Sequence, residues 1–89
     1  MKNKTKKQEI PKWFKGTIYK ESEEVVNPFS GQCYTLNGLE LSIYDFIIGS
    51  QHVFEVAPRS VTPKQVNEFQ KALNWFRKNN VEAYMVLLD

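Results

Sequence analysis

From Asn37 to Ala57, NGLELSIYDFIIGSQHVFEVA, apolar residues recur at a helical period. Placed at about 100° per residue, Leu39, Ile43, Phe46, Ile47, Val53, Phe54 and Ala57 share one broad stripe, while Leu41, Tyr44 and Ile48 fall on the opposite side. Only Glu40, Asp45, Gln51, His52 and Glu55 are plainly polar, too few for a full solvent face. A helix that is apolar on two sides is covered on two sides. In a chain of 89 residues one cover is the rest of the domain, and the pattern points to a second copy as the other. Asn37 suits the N-cap, with Glu40 in capping-box position. Gly49 and Ser50 fall mid-helix, and Gly49 shares a stripe with Ser42. Small residues on one stripe permit close approach of another backbone; a kink or break at Gly49 is the competing reading.

Before this helix the period changes to two. Lys15 to Lys20 carries the β-formers Thr17, Ile18 and Tyr19, Glu24 to Asn27 forms a run around Val25 and Val26, and Gln32 to Leu36 forms a third. Asn27-Pro28-Phe29-Ser30-Gly31 between the last two is a turn signal, with Pro presetting φ and Gly free to take positive φ. The expected assembly is a three-stranded antiparallel meander. After the central helix, Thr62-Pro63-Lys64-Gln65 combines an N-cap, a proline at the first helical position and a capping-box glutamine. The helix it opens has an apolar stripe of Val66, Phe69, Leu73 and Phe76, with Trp75 turned away from it. Val81 to Asp89 reads as a short helix capped by Asn80, in preference to a strand. The fold class is therefore α+β: a three-stranded antiparallel meander, two main helices and a short C-terminal helix.

Charge divides the chain. Residues 1–20 hold seven lysines against Glu9, giving +6, whereas residues 21–89 hold five Lys or Arg against nine Asp or Glu, giving −4. Residues 1–12 have no hydrophobic period and form a basic N-terminal arm, predicted mobile by composition; residues 13–89 form one domain. No run approaches the roughly 20 apolar residues of a membrane span, and the basic start lacks the apolar core of a signal peptide. With Cys33 as the only cysteine, the expected setting is a reducing cytoplasm.

Little in the sequence carries chemistry. His52 and Glu55 are three apart on a helix, but a metal site needs three or four ligands and neither a second histidine nor a thiolate pair is present. Cys33 sits on a predicted strand beside Tyr34 and reads as a small packed residue. Phosphate-binding glycine loops, serine-nucleophile elbows and zinc spacings are absent from the sequence. No enzyme activity and no cofactor are expected. Contact surfaces are better supported. Leu41, Tyr44 and Ile48 are candidates for a self-association interface, and Trp75 on the off-face of its helix is a candidate contact for a protein partner. Lys2, Lys4, Lys6, Lys7, Lys12 and Lys15, with Trp13, are candidates for phosphate contact and base stacking on nucleic acid, expected to be weak and salt-sensitive.

The combination of NPFSG (27–31), LSIYDFIIGSQ (41–51) and ALNWFRKNNVEAYMVLLD (72–89) resembles a family of small uncharacterised proteins from marine T4-like, cyanophage-type bacteriophages. The similarity covers residues 14–89 and leaves the basic arm outside. It implies a phage-encoded protein working in a host cytoplasm, and it brings no catalytic residues with it. The leading expectation is a non-enzymatic protein-interaction module that forms homo-oligomers, and the alternative is a nucleic-acid-associated accessory protein using the arm.

Overall fold

The structure, a computed structural model, describes residues 8–88. It is α+β: a two-stranded antiparallel hairpin, β1 (Glu23–Val26) and β2 (Cys33–Leu36), then helices α1 (Gly38–Val56) and α2 (Pro63–Asn79) joined across a single 3₁₀ turn, Pro58–Ser60. A short C-terminal helix, α3 (Val81–Ala83), runs on into a π-helical stretch, Tyr84–Leu88. The register pairs Glu23 with Leu36, Glu24 with Thr35, Val25 with Tyr34 and Val26 with Cys33. Val25, Tyr34 and Leu36 face the helices, and Leu36 is fully buried.

The helix ends are set by local chemistry. The Asn37 side chain accepts from the Glu40 N–H at 2.8 Å while the Glu40 carboxylate accepts from the Asn37 N–H at 3.0 Å. Thr62 and Gln65 make the same reciprocal pair at α2, with Pro63 as its first residue. The Asn80 side chain accepts from the Ala83 N–H, so the C-terminal segment starts as a capped helix. At the hairpin, Asn27 Oδ1 accepts from the Phe29 N–H at 2.8 Å, Gly31 takes φ 79°, and the Asn27 N–H closes onto the Gln32 carbonyl. Asn27 Nδ2 also donates to the Val86 carbonyl at 2.9 Å, fastening the turn to the C-terminal segment.

The core joins all these elements. Phe14, Leu36, Leu41, Ile43, Ile47, Ala72, Trp75, Phe76, Ala83 and Leu87 are its buried residues. α1 continues unbroken through Gly49 and Ser50. A methyl group added at Gly49 would meet open space, so Gly49→Ala should stabilise the protein by about 0.5–1 kcal/mol. Urea denaturation would read this as a higher midpoint at unchanged slope.

Two strands replace the expected three-stranded meander. Residues 15–20 form no strand and bend at Gly16 and Lys20, and they dock on the start of α1 instead of pairing with β1. The Tyr19 N–H, which a ladder would need, donates to Ser42 Oγ at 2.8 Å, and the Tyr19 carbonyl lies against Gly38. The close approach foreseen at Gly49 occurs at Gly38, where a Cβ would collide with that carbonyl. Of the basic arm, residues 1–7 lie outside the described residues, while Gln8 and Glu9 are bonded to the body.

Candidate interaction surfaces

Two grooves flank the Tyr19–Ser22 segment. The first, about 790 Å³, is lined by residues 19–26 on one side and by Leu41, Tyr44 and Asp45 of α1 on the other. No β2 residue lines it, so it runs along the outer side of β1. Its floor is apolar, from Leu41 and Tyr44, and its rim carries Glu21, Glu23, Glu24 and Asp45 against the single cation Lys20. The Tyr19 hydroxyl donates to Asp45 Oδ2 at 2.7 Å. That bond and the adjacent negative charge hold the Tyr19 hydroxyl above its ordinary range.

The second groove, about 1140 Å³, includes Gln8, Tyr34, Asn37, Leu39, Glu40, Lys78, Asn79, Asn80, Val81, Glu82 and Met85 in its lining. Glu40 is its centre. The residue is only 4% exposed, and its carboxylate accepts from Gln8 Nε2 at 2.7 Å, Asn80 Nδ2 at 2.8 Å and the Asn37 N–H at 3.0 Å. Gln8 Oε1 in turn accepts from Asn37 Nδ2. Every partner is a neutral donor and the carboxylate is acceptor-only, so the bonding is complete without a cation. The Tyr34 hydroxyl lies 3.0 Å from Glu82 Oε1 and 3.2 Å from Asn80 Oδ1.

Burial, followed by the Glu82 hydrogen bond and charge, pushes the Tyr34 hydroxyl above the usual tyrosine value of 10.0. A raised folded value means that this stabilisation is complete below the unfolded pKa and is lost as pH climbs through the folded one. Tyr34→Phe should therefore flatten the loss of stability above about pH 10, at a cost near neutrality of about 1 kcal/mol. Denaturation midpoints measured from neutral to strongly alkaline pH check both effects.

The sequence-predicted contact residues separate. Leu41 is buried, Tyr44 is half-buried with burial raising its hydroxyl pKa, and Ile48 is 40% exposed. Leu41 and Tyr44 meet at the first groove. Trp75, read from the helical wheel as turned outward, is buried in the core, and its indole N–H donates to the Glu9 carbonyl at 3.4 Å. The N-terminal segment reaches the indole through that bond, so Trp75 is not available as a contact for a partner.

Lys12 and Lys15 are exposed; Lys2, Lys4, Lys6 and Lys7 lie outside the described residues. Trp13 is half-buried, edge-on to Phe14 at 5.8 Å and tilted against Phe46 at 5.6 Å, so it packs partly against the core aromatics.

His52 and Glu55 are both exposed on α1, and among the described residues no three His, Cys, Asp or Glu side chains gather as a metal-ion site. Cys33, expected to be packed, is exposed, because its register with Val26 puts it on the outward face of the hairpin. Phe29, absent from the predicted contacts, is 96% exposed at the turn that Asn27 pins. Its position in a turn pentapeptide was the only available signal. No helix among the described residues is long and apolar enough to cross a membrane. Comparison with protein-family models, with curated proteins and with solved structures finds no match to this chain.

Proposed function

We propose that this chain is a small, non-enzymatic protein-interaction module that self-associates. The supporting observation is the first groove, where α1 presents the half-buried Tyr44 above the buried Leu41, beside a β1 edge that no other described backbone group pairs, and continues to the exposed Ile48. An apolar floor with a polar rim is the anatomy of a contact surface. Phe29, held in solvent by a bonded turn, offers a second point of contact for another protein. Action in the cytoplasm of an infected host is part of the same proposal; it is what the resemblance of NPFSG, LSIYDFIIGSQ and ALNWFRKNNVEAYMVLLD to proteins of T4-like phages implies.

The alternative role, nucleic-acid association through the lysine-rich N-terminus, keeps the exposed Lys12 and Lys15 but loses support for stacking by Trp13. Multi-angle light scattering at high micromolar concentration should give twice the 10.4 kDa monomer mass, and Tyr44→Glu should shift the equilibrium toward monomer at least tenfold. A wild-type monomer throughout the concentration range would defeat the self-association reading.

A further inference from the structure

The groove beside β1 has the geometry of a vacant strand position. The Asn27 N–H bonds to the Gln32 carbonyl at 2.8 Å, which fixes the phase of the ladder. In the observed register the bond-exchanging pairs are Glu23 with Leu36 and Val25 with Tyr34, because such pairs alternate along antiparallel strands. Glu24 and Val26 therefore turn their N–H and C=O groups away from β2, toward the groove. Among the described residues, no backbone group outside the hairpin bonds to them. An edge of this kind is a template for an added strand. The acidic rim makes one class of strand fit best: an extended segment carrying positive charge.

One segment of this chain has that character. Residues 1–7, MKNKTKK, lie outside the described residues and contain four lysines and no acidic residue. Lys2, Lys4 and Lys6 recur at every second position, the spacing that puts side chains on one face of a strand. Seven extended residues span at most about 24 Å, whereas a four-residue strand such as β1 needs about 13 Å. The segment is long enough to cover the whole edge. Its anchor favours delivery to a different copy. Gln8 is held in the second groove by Glu40 and Asn37, and Tyr19, Lys20 and Ser22 line both grooves, standing between them. Within one copy the segment would spend part of its length crossing that divide, which leaves a second copy's groove as the better fit.

We propose that residues 1–7 of a second copy add as a strand to the edge of β1, directing Lys2, Lys4 and Lys6 to the helix-facing side of the rim, where Glu21, Glu23 and Asp45 lie, with Glu24 adding its negative charge from the other face. The inference rests on the self-association reading and supplies its partner and its contacts. Exchange in both directions gives an isologous pair, and each hairpin becomes a three-stranded sheet.

Charge reversal in the full chain tests this. One variant carries Lys2→Glu, Lys4→Glu and Lys6→Glu; the other carries Glu21→Lys, Glu23→Lys and Glu24→Lys, three glutamates that are exposed. Wild type should be a dimer whose dissociation constant rises with salt. Each variant alone should dimerise at least tenfold more weakly, and an equimolar mixture should recover a heterodimer, because acidic arm then meets basic groove and basic arm meets acidic groove. Circular dichroism checks that each variant is folded. The milder Glu21→Gln, Glu23→Gln, Glu24→Gln variant provides the same test, with a smaller weakening expected, if the reversed groove does not fold. A wild-type dimer indifferent to both reversals would overturn the strand exchange while leaving self-association standing. Weakened variants that do not recover on mixing would also overturn it, and a wild-type monomer would remove both proposals.

Discussion

Gly38→Ala should unfold at a urea midpoint well below that of the parent, with a loss of about 3 kcal/mol. The residue is buried in the first turn of α1, directly after the Asn37 cap. A methyl group there would overlap the Tyr19 carbonyl and crowd the following peptide carbon. Both obstacles are backbone, so no side chain can rotate away to relieve them. The Tyr19 segment is also held in place, since its N–H donates to Ser42 Oγ while that hydroxyl donates to the Gly38 carbonyl at 2.8 Å. Relief requires residues 15–20 to lift from α1, breaking that relay and loosening Phe14 and Ile18 from the core. In a domain of this size each kcal/mol corresponds to about 4–8 °C in Tm, so the expected drop exceeds 10 °C. The opposite sign at Gly49→Ala, in the same helix, would show that local packing and not helix propensity decides. A midpoint equal to the parent's would mean that the Tyr19 segment is not docked as described.

Features set by a few neighbouring residues were legible in the sequence. Asn37 with Glu40, Thr62-Pro63 with Gln65, and Asn80 before Val81 each announce a helix start, because the cap and its partner lie within four residues. The Asn27–Gly31 turn was legible for the same reason. Long-range competition was not. Thr17, Ile18 and Tyr19 favour a strand intrinsically, but β-propensity states only that a residue suits a pleated surface. Ser42, which takes the Tyr19 N–H, stands 23 positions away. Trp75 failed similarly: α2 alone shows an outward tryptophan, and the group that bonds its indole is 66 residues distant. The second apolar side of α1 was expected to meet another copy, and part of its cover comes from within the chain. Residues 13–20 and the hairpin close over its N-terminal half, and what stays open is the groove at Tyr44.

Glu40→Ala is expected to cost about 3 kcal/mol, and its origin differs from that at Gly38. The side chain joins three places in the chain: Gln8 in the N-terminal segment, the cap of α1, and Asn80 between α2 and α3. Removing it leaves the Asn37 N–H and Asn80 Nδ2 without their acceptor, and Gln8 Nε2 with only its long bond to the Asn79 carbonyl at 3.5 Å. The two amide side chains can turn toward water, but the backbone N–H is fixed, so relief is partial. Glu40→Gln keeps the shape yet turns an NH₂ toward groups that are themselves donors, and should lose about 2 kcal/mol. Glu55→Ala, exposed on the same helix, should stay within about 0.5 kcal/mol. Double-mutant cycles separate a joint from three independent bonds. If Gln8 and Asn80 act through Glu40, Gln8→Ala and Asn80→Ala should each add less than their single-variant cost in the Glu40→Ala background. Strict additivity, or a Glu40→Ala variant as stable as Glu55→Ala, would show that the chain holds its N-terminal segment by packing of Phe14 and Trp75 and does not depend on the carboxylate. Gln8 is the first described residue after the lysine-rich segment, so the same joint fixes the point at which residues 1–7 join the body. Weakening it should loosen self-association as well as the fold, and light scattering on the Gln8→Ala variant, whose fold is the less perturbed, reads that effect separately.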